Sequence, residues 1–252
     1  MNCQLCGSDR PQLASAQIVP DFMLKYIQDE ESGRAVMRVY DDESDQLLQV
    51  EEGGIELDGE LVCEACLATI GEWDRYADRL MYQDSGLVIE NMSVGDEESG
   101  TAEEAKVIRN VDYGRFKLFQ LSLLWRMGAS DVIPFEPIDI GIHRQRLAEM
   151  LRSRDPGAPE DFPCVMATIA PGGVHFVDFF DVRFWAERDV ATTIELVSGG
   201  FVFRFFLGRE VPKFTDRFAL QQNGDLPLLQ RHPGQLQGLM KLVGTEAAAD
   251  DA

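Results

Sequence analysis

Four of the five cysteines occur as two closely spaced pairs, Cys3 with Cys6 and Cys63 with Cys66. Two residues separate the cysteines within each pair, and 56 residues separate the pairs from each other. A pair of this kind can bring two thiolates to one metal ion, and two pairs complete a tetrahedral, all-thiolate site. The spacing therefore predicts one structural zinc ion that all four cysteines bind.

Redox chemistry and disulfide bonds are the two other common uses of paired cysteines. A redox motif does not need a second copy, so the repetition favours a metal. Disulfides are typical of exported proteins, and the N-terminus has neither the basic nor the apolar region of a secretory signal. No apolar run reaches the roughly 18 residues of a membrane span. We therefore expect a cytoplasmic protein with reduced thiols.

The charge of the chain is large and unevenly distributed. The formal net charge is −21, and residues 1–105 contribute 25 acidic and six basic side chains, a charge of −19. Such a field repels phosphate backbones and attracts basic surfaces. We therefore expect a protein partner with a basic surface, and we do not expect nucleic acid to bind at the zinc module. Solubility alone is the other explanation of the acidic excess.

Several motifs resemble a bacterial family of HNH-like treble-clef zinc proteins. The first cysteine pair is followed by Gly7, then by a segment from Ser15 to Phe22 that is similar to the family's S-H-I-I-P-E-F. The second pair follows Leu61, and a D-Y-x-x-F-K-L-F-x-L-S-x-L-W-R segment runs from Asp112 to Arg126. The resemblance extends to about residue 155. It implies a treble-clef module and a role in bacterial or phage defence.

The chain departs from this family where nuclease chemistry is expected. Gln17 stands where the resemblance places the histidine that acts as general base, and Ala16 stands where nucleases often have a metal-binding aspartate. A side-chain amide is a poor base and a poor ligand for a catalytic divalent ion. The residues after Cys66 offer no histidine or asparagine for a catalytic metal. The resemblance therefore implies a fold whose catalytic residues are lost.

The apolar periodicity predicts an α+β protein in which helices pack on an antiparallel β-sheet. A helix after Cys66 has one apolar face. A second helix, with Asp112 as its N-cap, is apolar almost all round, with Arg115, Lys117 and Arg126 expected at its edges. A third, arginine-rich helix is expected over residues 140–154. From residue 162 the alternation predicts two hairpins, 164–185 and 192–207, with 201–207 as a central strand.

These patterns divide the chain into four parts. We predict a zinc module over residues 1–82, an acidic loop or linker over 83–105, a domain of helices and sheet over 106–245, and an acidic tail over 246–252. The linker is assigned from its Gly, Ser and carboxylate content. The four arginines Arg144, Arg146, Arg152 and Arg154 could bind phosphate, but we expect them to pair with acidic groups of this chain.

Other catalytic motifs are absent from the sequence. The three histidines, His143, His175 and His232, have no metal-ligand spacing, and no nucleotide-binding or serine-hydrolase fingerprint occurs. A nucleophilic pair of Cys164 and His175 stays open, since such pairs meet only in the fold. Cys164 is otherwise expected as a small buried hydrophobe.

Three hypotheses on function follow from the sequence. The first is a non-catalytic zinc protein with an HNH-like fold that acts by protein–protein interaction. The second is an active HNH-type, metal-dependent endonuclease whose catalytic residues lie elsewhere in the chain. The third is an acidic inhibitor that mimics DNA.

Overall fold

A computed structural model describes residues 2–9, 13–25, 38–41, 46–49, 58–83, 88–94, 103–132, 135, 138–169, 180–187, 191–208 and 210–231. The helices within these residues are α1 (Asp21–Leu24), α2 (Glu64–Tyr82), α3 (Tyr113–Ala129), α4 (His143–Ser153) and α5 (Thr215–Phe218). The strands are β1 (Ala14–Gln17), β2 (Arg38–Asp41), β3 (Gln46–Gln49), β4 (Asp58–Val62), β5 (Ile89–Val94), β6 (Glu103–Ile108), β7 (Cys164–Ile169), β8 (Asp181–Glu187), β9 (Ala191–Ser198), β10 (Phe201–Gly208) and β11 (Leu226–Arg231). The predicted mixture of helices and strands is confirmed.

The main sheet has seven strands in the order β5-β6-β11-β7-β10-β9-β8. Its neighbouring strands are antiparallel except for β7 and β11, which run parallel, so the prediction of a purely antiparallel sheet is wrong on this point. The predicted hairpin over 164–185 is also wrong, because β7 lies between β10 and β11 while β8 pairs with β9. Alternation identifies a strand, but burial of its two faces in the fold selects its partner.

The second predicted hairpin is confirmed. Strands β9 and β10 pair in continuous register and are joined at Gly199 and Gly200, which have φ angles of +58° and +82°. A two-residue turn with positive φ at both positions matches the twist of the strands, and glycine adopts it without steric cost. Strand β10 is central, as predicted, and its Arg204 pairs with the buried Glu195 directly across on β9.

Helix α3 is the most extensively buried of the described helices. Asp112 caps it, as predicted, because its carboxylate accepts a hydrogen bond from the backbone N–H of Arg115 at 3.0 Å. The face toward the sheet packs Phe119 against Phe203 of β10. Helices α2 and α4 pack on other parts of its surface. Because α3 is covered by the sheet and by two helices, it needs apolar residues on nearly every side.

We expected two charged residues of α3 at the edges of the helix, but the structure buries both of them in the protein interior. Lys117 is 1% exposed and Arg126 is 2% exposed. The Lys117 ammonium donates to the carbonyl oxygen of Phe162 at 3.1 Å, and burial lowers its pKa to about 8. The sequence expectation fails because the tertiary structure covers these edges and supplies polar partners there.

Arg126 joins three elements of the fold. Its guanidinium donates to both carboxylate oxygens of Asp74 on α2, at 2.9 and 3.1 Å, and to the carbonyl oxygen of Gln17 at the end of β1, at 3.0 Å. Burial raises the pKa of Asp74, while the positive charge of Arg126 opposes this effect. The buried ion pair thus fixes the position of β1 and α2 against α3.

The cysteine-bearing part of the chain also contacts the main sheet at the β9–β10 turn. The Tyr82 hydroxyl at the end of α2 donates to the carbonyl oxygen of Gly199 at 2.8 Å, and the Ser198 hydroxyl donates to that of Met23 at 3.0 Å. The segment 83–105 contains strand β5 and the start of strand β6. The sequence also indicates a short strand over 87–92, which β5 confirms in part, whereas β6 begins where we predict a loop. The boundaries of the four parts stay a prediction.

Three of the four arginines of the α4 region pair with acidic groups of this chain, as expected, and Arg144 contacts an amide instead. Two of the four partners come from residues 1–82. The pairs are Arg144 with Gln4, Arg146 with Asp161, Arg152 with Glu149, and Arg154 with Glu72. The predicted acidic tail lies outside the described residues.

The Arg126–Asp74 pair can be tested by removing one partner. We expect Arg126→Met to lower the free energy of unfolding by about 3–5 kcal/mol, because it leaves a buried carboxylate without its cation. The control Arg115→Met removes an arginine of the same helix that is 60% exposed, and its cost should stay within about 1 kcal/mol. Urea unfolding measures both, and equal losses in the two variants would contradict the assigned role.

Candidate metal centre

The first cysteine pair lies on a tight loop at the N-terminus. The N–H of Gly7 donates to the carbonyl oxygen of Cys3 at 2.8 Å, and the N–H of Cys3 donates to that of Ser8 at 3.0 Å. Gly7 has a φ angle of +72°, a conformation that favours glycine. Leu5, between the two cysteines, is buried in the core. These bonds turn both thiols toward the same side of the loop.

The second cysteine pair lies where β4 leads into α2. Cys63 is the N-cap residue of α2, and Cys66 follows within the first turn. Strand β4 pairs antiparallel with β1, and the N–H of Gln4 donates to the carbonyl oxygen of Leu61 at 2.9 Å. The pairing brings the N-terminal loop against the start of α2. Free N–H groups at a helix start favour negative charge, which suits thiolates.

The four thiol sulphur atoms lie within 4.8 Å of one another. The Sγ atoms of Cys3 and Cys66 are 3.8 Å apart, and those of Cys6 and Cys63 are 3.9 Å apart. Zinc bonds of about 2.3 Å in a tetrahedron place sulphur atoms about 3.8 Å apart, so the donor set fits this ion. All five cysteines are free thiols in the described chain. The predicted clustering is confirmed, and it is consistent with zinc.

Backbone donors support the sulphur atoms. The Sγ of Cys3 accepts hydrogen bonds from the N–H groups of Cys6 and Cys63, at 3.5 and 3.3 Å. Hydrogen bonds of this kind favour the charged form of a thiol. They come from both halves of the site, so the same contacts that stabilise a thiolate also connect the N-terminal loop to α2.

The thiols differ in how easily they lose a proton. A hydrogen bond with the Ser8 side chain lowers the pKa of Cys6 to about 6. Burial, together with the nearby negative charge of Cys3, raises the pKa of Cys66 well above its ordinary value. A central cation removes this conflict, since it attracts all four thiolates. Ser8 was not anticipated from the sequence, and its position two residues after Cys6 was the only available signal.

Gln17 has a structural role at the end of β1. Its amide oxygen accepts a hydrogen bond from the N–H of Asp21 at 3.0 Å, and its amide nitrogen donates to the Asp21 carboxylate. Its backbone carbonyl is the acceptor for Arg126. The side chain therefore stabilises the start of α1. Ala16 beside it is buried.

The other candidate residues lie apart from the cysteine cluster or outside the described chain. The His143 ring packs edge-on against Phe162, and burial lowers its pKa. Cys164 is fully buried, which confirms the expectation of a small core residue, and burial raises its pKa. His175 and His232 lie outside the described residues. The alternative of a nucleophilic Cys164–His175 pair therefore stays open.

No protein-family model, curated protein or solved structure matches the chain, so the resemblance to HNH-like proteins depends on the sequence motifs alone. Within the described ranges, no helix is both long enough and apolar enough to cross a bilayer.

Loss of one thiolate tests the metal assignment. We expect Cys63→Ala to reduce zinc affinity by more than the ~10–100-fold that removal of an outer-shell contact costs, since it removes a direct ligand. Zinc content after dialysis against a chelator, measured by mass spectrometry, should be one ion per chain in the wild type and near zero in the variant. The control Cys164→Ala should keep its zinc. Equal zinc in Cys63→Ala and wild type would refute the assignment.

Proposed function

We propose that this protein is a zinc-stabilised binding protein with an HNH-like treble-clef module that has lost nuclease chemistry. It acts by contact with a protein that carries a basic surface. The observation that carries this proposal is the cluster of four cysteines, because it leaves zinc without an open coordination position. The proposed treble clef comprises the N-terminal loop, strands β1 and β4, and helix α2.

A metal ion bound by four thiolates is suited to stabilise the fold and not to catalyse a reaction. Catalytic zinc sites keep one position for water or substrate, whereas structural sites fill all four with protein ligands. When bound, zinc would be held by Cys3, Cys6, Cys63 and Cys66 and would supply folding free energy. It would fasten the first residues of the chain to α2.

The residues around Gln17 support the absence of a nuclease reaction. A general base must accept a proton from water, and a neutral amide does not do so at ordinary pH. Both polar atoms of the Gln17 amide are already engaged by Asp21. The alternative of an active endonuclease requires a base from elsewhere, and the ring of His143 is packed against Phe162.

The acidic field supports a basic partner. Residues 1–105 carry a formal charge of −19, and the remainder carries −2. Opposite charges raise the rate of encounter and select among partners, whereas a phosphate backbone is repelled. A protein that mimics DNA would use the same field, so the two proposals differ in whether the partner normally binds DNA. A place in bacterial or phage defence belongs to the proposal through the family resemblance.

A cleavage assay tests the loss of catalysis. Zinc-loaded protein should not cleave plasmid DNA or RNA in the presence of Mg²⁺, Mn²⁺ or Ni²⁺ above the level of a mock purification. A metal-dependent cleavage that mock material lacks and that Cys63→Ser abolishes would overturn the proposal. It would favour the endonuclease alternative.

A capture experiment tests the basic partner. Full-length bait should retain a basic protein from host extract, and salt should release it, since exposed charges are screened beyond about 8 Å at physiological ionic strength. The sequence has an acidic run over residues 41–45, and Asp42→Asn/Glu43→Gln in the bait, which neutralises two of its side chains, should lower the salt needed for release. The control Glu210→Gln/Asp216→Asn removes the same charge elsewhere and should not. Release that DNA also causes, by competition, would favour the DNA mimic.

A further inference from the structure

A groove of about 780 Å³ runs between the later turns of α2, the start of α3 and the end of α4. Four arginines line it: Arg75 and Arg79 from α2, Arg115 from α3, and Arg154 after α4. Three carboxylates, Glu72, Asp78 and Asp112, also line it. The lining thus carries a formal charge of +1 in a chain whose net charge is −21.

Two of the arginines are engaged and two are available. Arg154 forms an ion pair with Glu72 at 3.1 Å, and Arg115 forms one with Asp112 at 3.5 Å. Asp78 accepts a hydrogen bond from Gln83 at 2.8 Å. Arg75 and Arg79 are exposed and have no hydrogen bond or ion pair to any other residue in the described part of the chain.

The spacing of the available arginines suits a ligand with more than one anionic group. Arg75 and Arg79 are four residues apart on α2, which puts them one above the other on the same helix face, about 5–6 Å apart at their Cβ atoms. Arg115 approaches from a second helix, with its guanidinium 5.9 Å from the ring centroid of Tyr76. Convergence from separate helices surrounds a ligand better than a row along one helix.

Guanidinium groups match phosphate in a bidentate geometry, and several of them can share one oligophosphate. The groove volume lies within the range for small-molecule sites. The acidic remainder of the chain disfavours a long nucleic acid, whose phosphates would extend into a negative field. These considerations favour a compact phosphorylated ligand over a polymer.

We propose that the groove formed by Arg75, Arg79, Arg115 and Arg154 binds a small ligand that carries two or more phosphate groups. The site is separate from the four cysteines. Arg75 follows Cys66 by nine residues, which corresponds to about 13 Å along the helix. The proposal does not depend on the function proposed for the zinc module, since the groove could bind an anion whether or not the acidic surface binds a protein.

Calorimetric titration of the zinc-loaded full chain with inorganic triphosphate tests this site. We expect binding in about 50 mM NaCl that weakens in about 300 mM NaCl, because the site is exposed to screening. Arg75→Gln/Arg79→Gln should raise the dissociation constant for triphosphate by about tenfold or more, equivalent to a loss of at least about 1.4 kcal/mol of binding free energy. Because both residues are exposed, zinc content and the urea midpoint should stay unchanged in this variant.

The control is Arg146→Gln/Arg152→Gln, which removes the same charge from α4 outside the groove and should change the constant by no more than about twofold. Citrate, a carboxylate of similar charge, should bind more weakly than triphosphate. Equal weakening by the two double variants, or no binding up to about 10 mM triphosphate, would overturn the proposal. A short single-stranded oligonucleotide that binds more tightly than triphosphate, and loses affinity in Arg75→Gln/Arg79→Gln, would reassign the groove to nucleic acid.

Discussion

The buried guanidinium of Arg126 is the interaction on which the arrangement of this fold depends. It lies in the covered helix α3 and bonds to the carboxylate of Asp74 and the carbonyl oxygen of Gln17. Removal of two charges from water is costly, and only near-complete pairing offsets that cost. Here the Arg126 guanidinium forms five hydrogen bonds, with acceptors on α2, on β1 and, at Ser122, on α3 itself. The pair therefore specifies one relative position of these elements, which a purely apolar contact would specify less sharply.

The cysteine cluster performs a similar task at shorter range. The two pairs that it joins have 56 residues between them, and the N-terminal loop has few apolar side chains of its own. Closing so long a loop costs conformational entropy that a small hydrophobic contact does not recover. The four sulphur atoms lie at metal-binding distances, and an ion held between them would supply the missing attraction. Arg126 then connects β1, which pairs with the strand before Cys63, to helix α3. The cysteine cluster and the Arg126 contacts thus link the N-terminal loop to α3 in two steps.

The arginines of the described chain occupy two kinds of position. Several arginines serve inside the chain: Arg204 pairs with the buried Glu195, and Arg126 pairs with Asp74. Others gather at the groove between α2, α3 and α4, where two of them have no partner among the residues that the structure describes. The acidic excess therefore coexists with one local basic site. A protein that binds a basic partner through its acidic field can carry an independent anion site, because charge interactions at exposed positions are screened within about 10 Å.

Local features could be predicted from the sequence alone. They are the two cysteine pairs, the apolar face of α2, the cap at Asp112 and the β9–β10 hairpin, and each depends on residue types a few positions apart. The folded chain alone shows the parallel pairing of β7 with β11, strand β6 at the end of the predicted linker, and the burial of Lys117 and Arg126. These depend on which distant surfaces meet, and a charged residue can be buried only where the fold provides its partner. The groove follows the same rule, since its arginines come from three helices whose convergence no local pattern encodes.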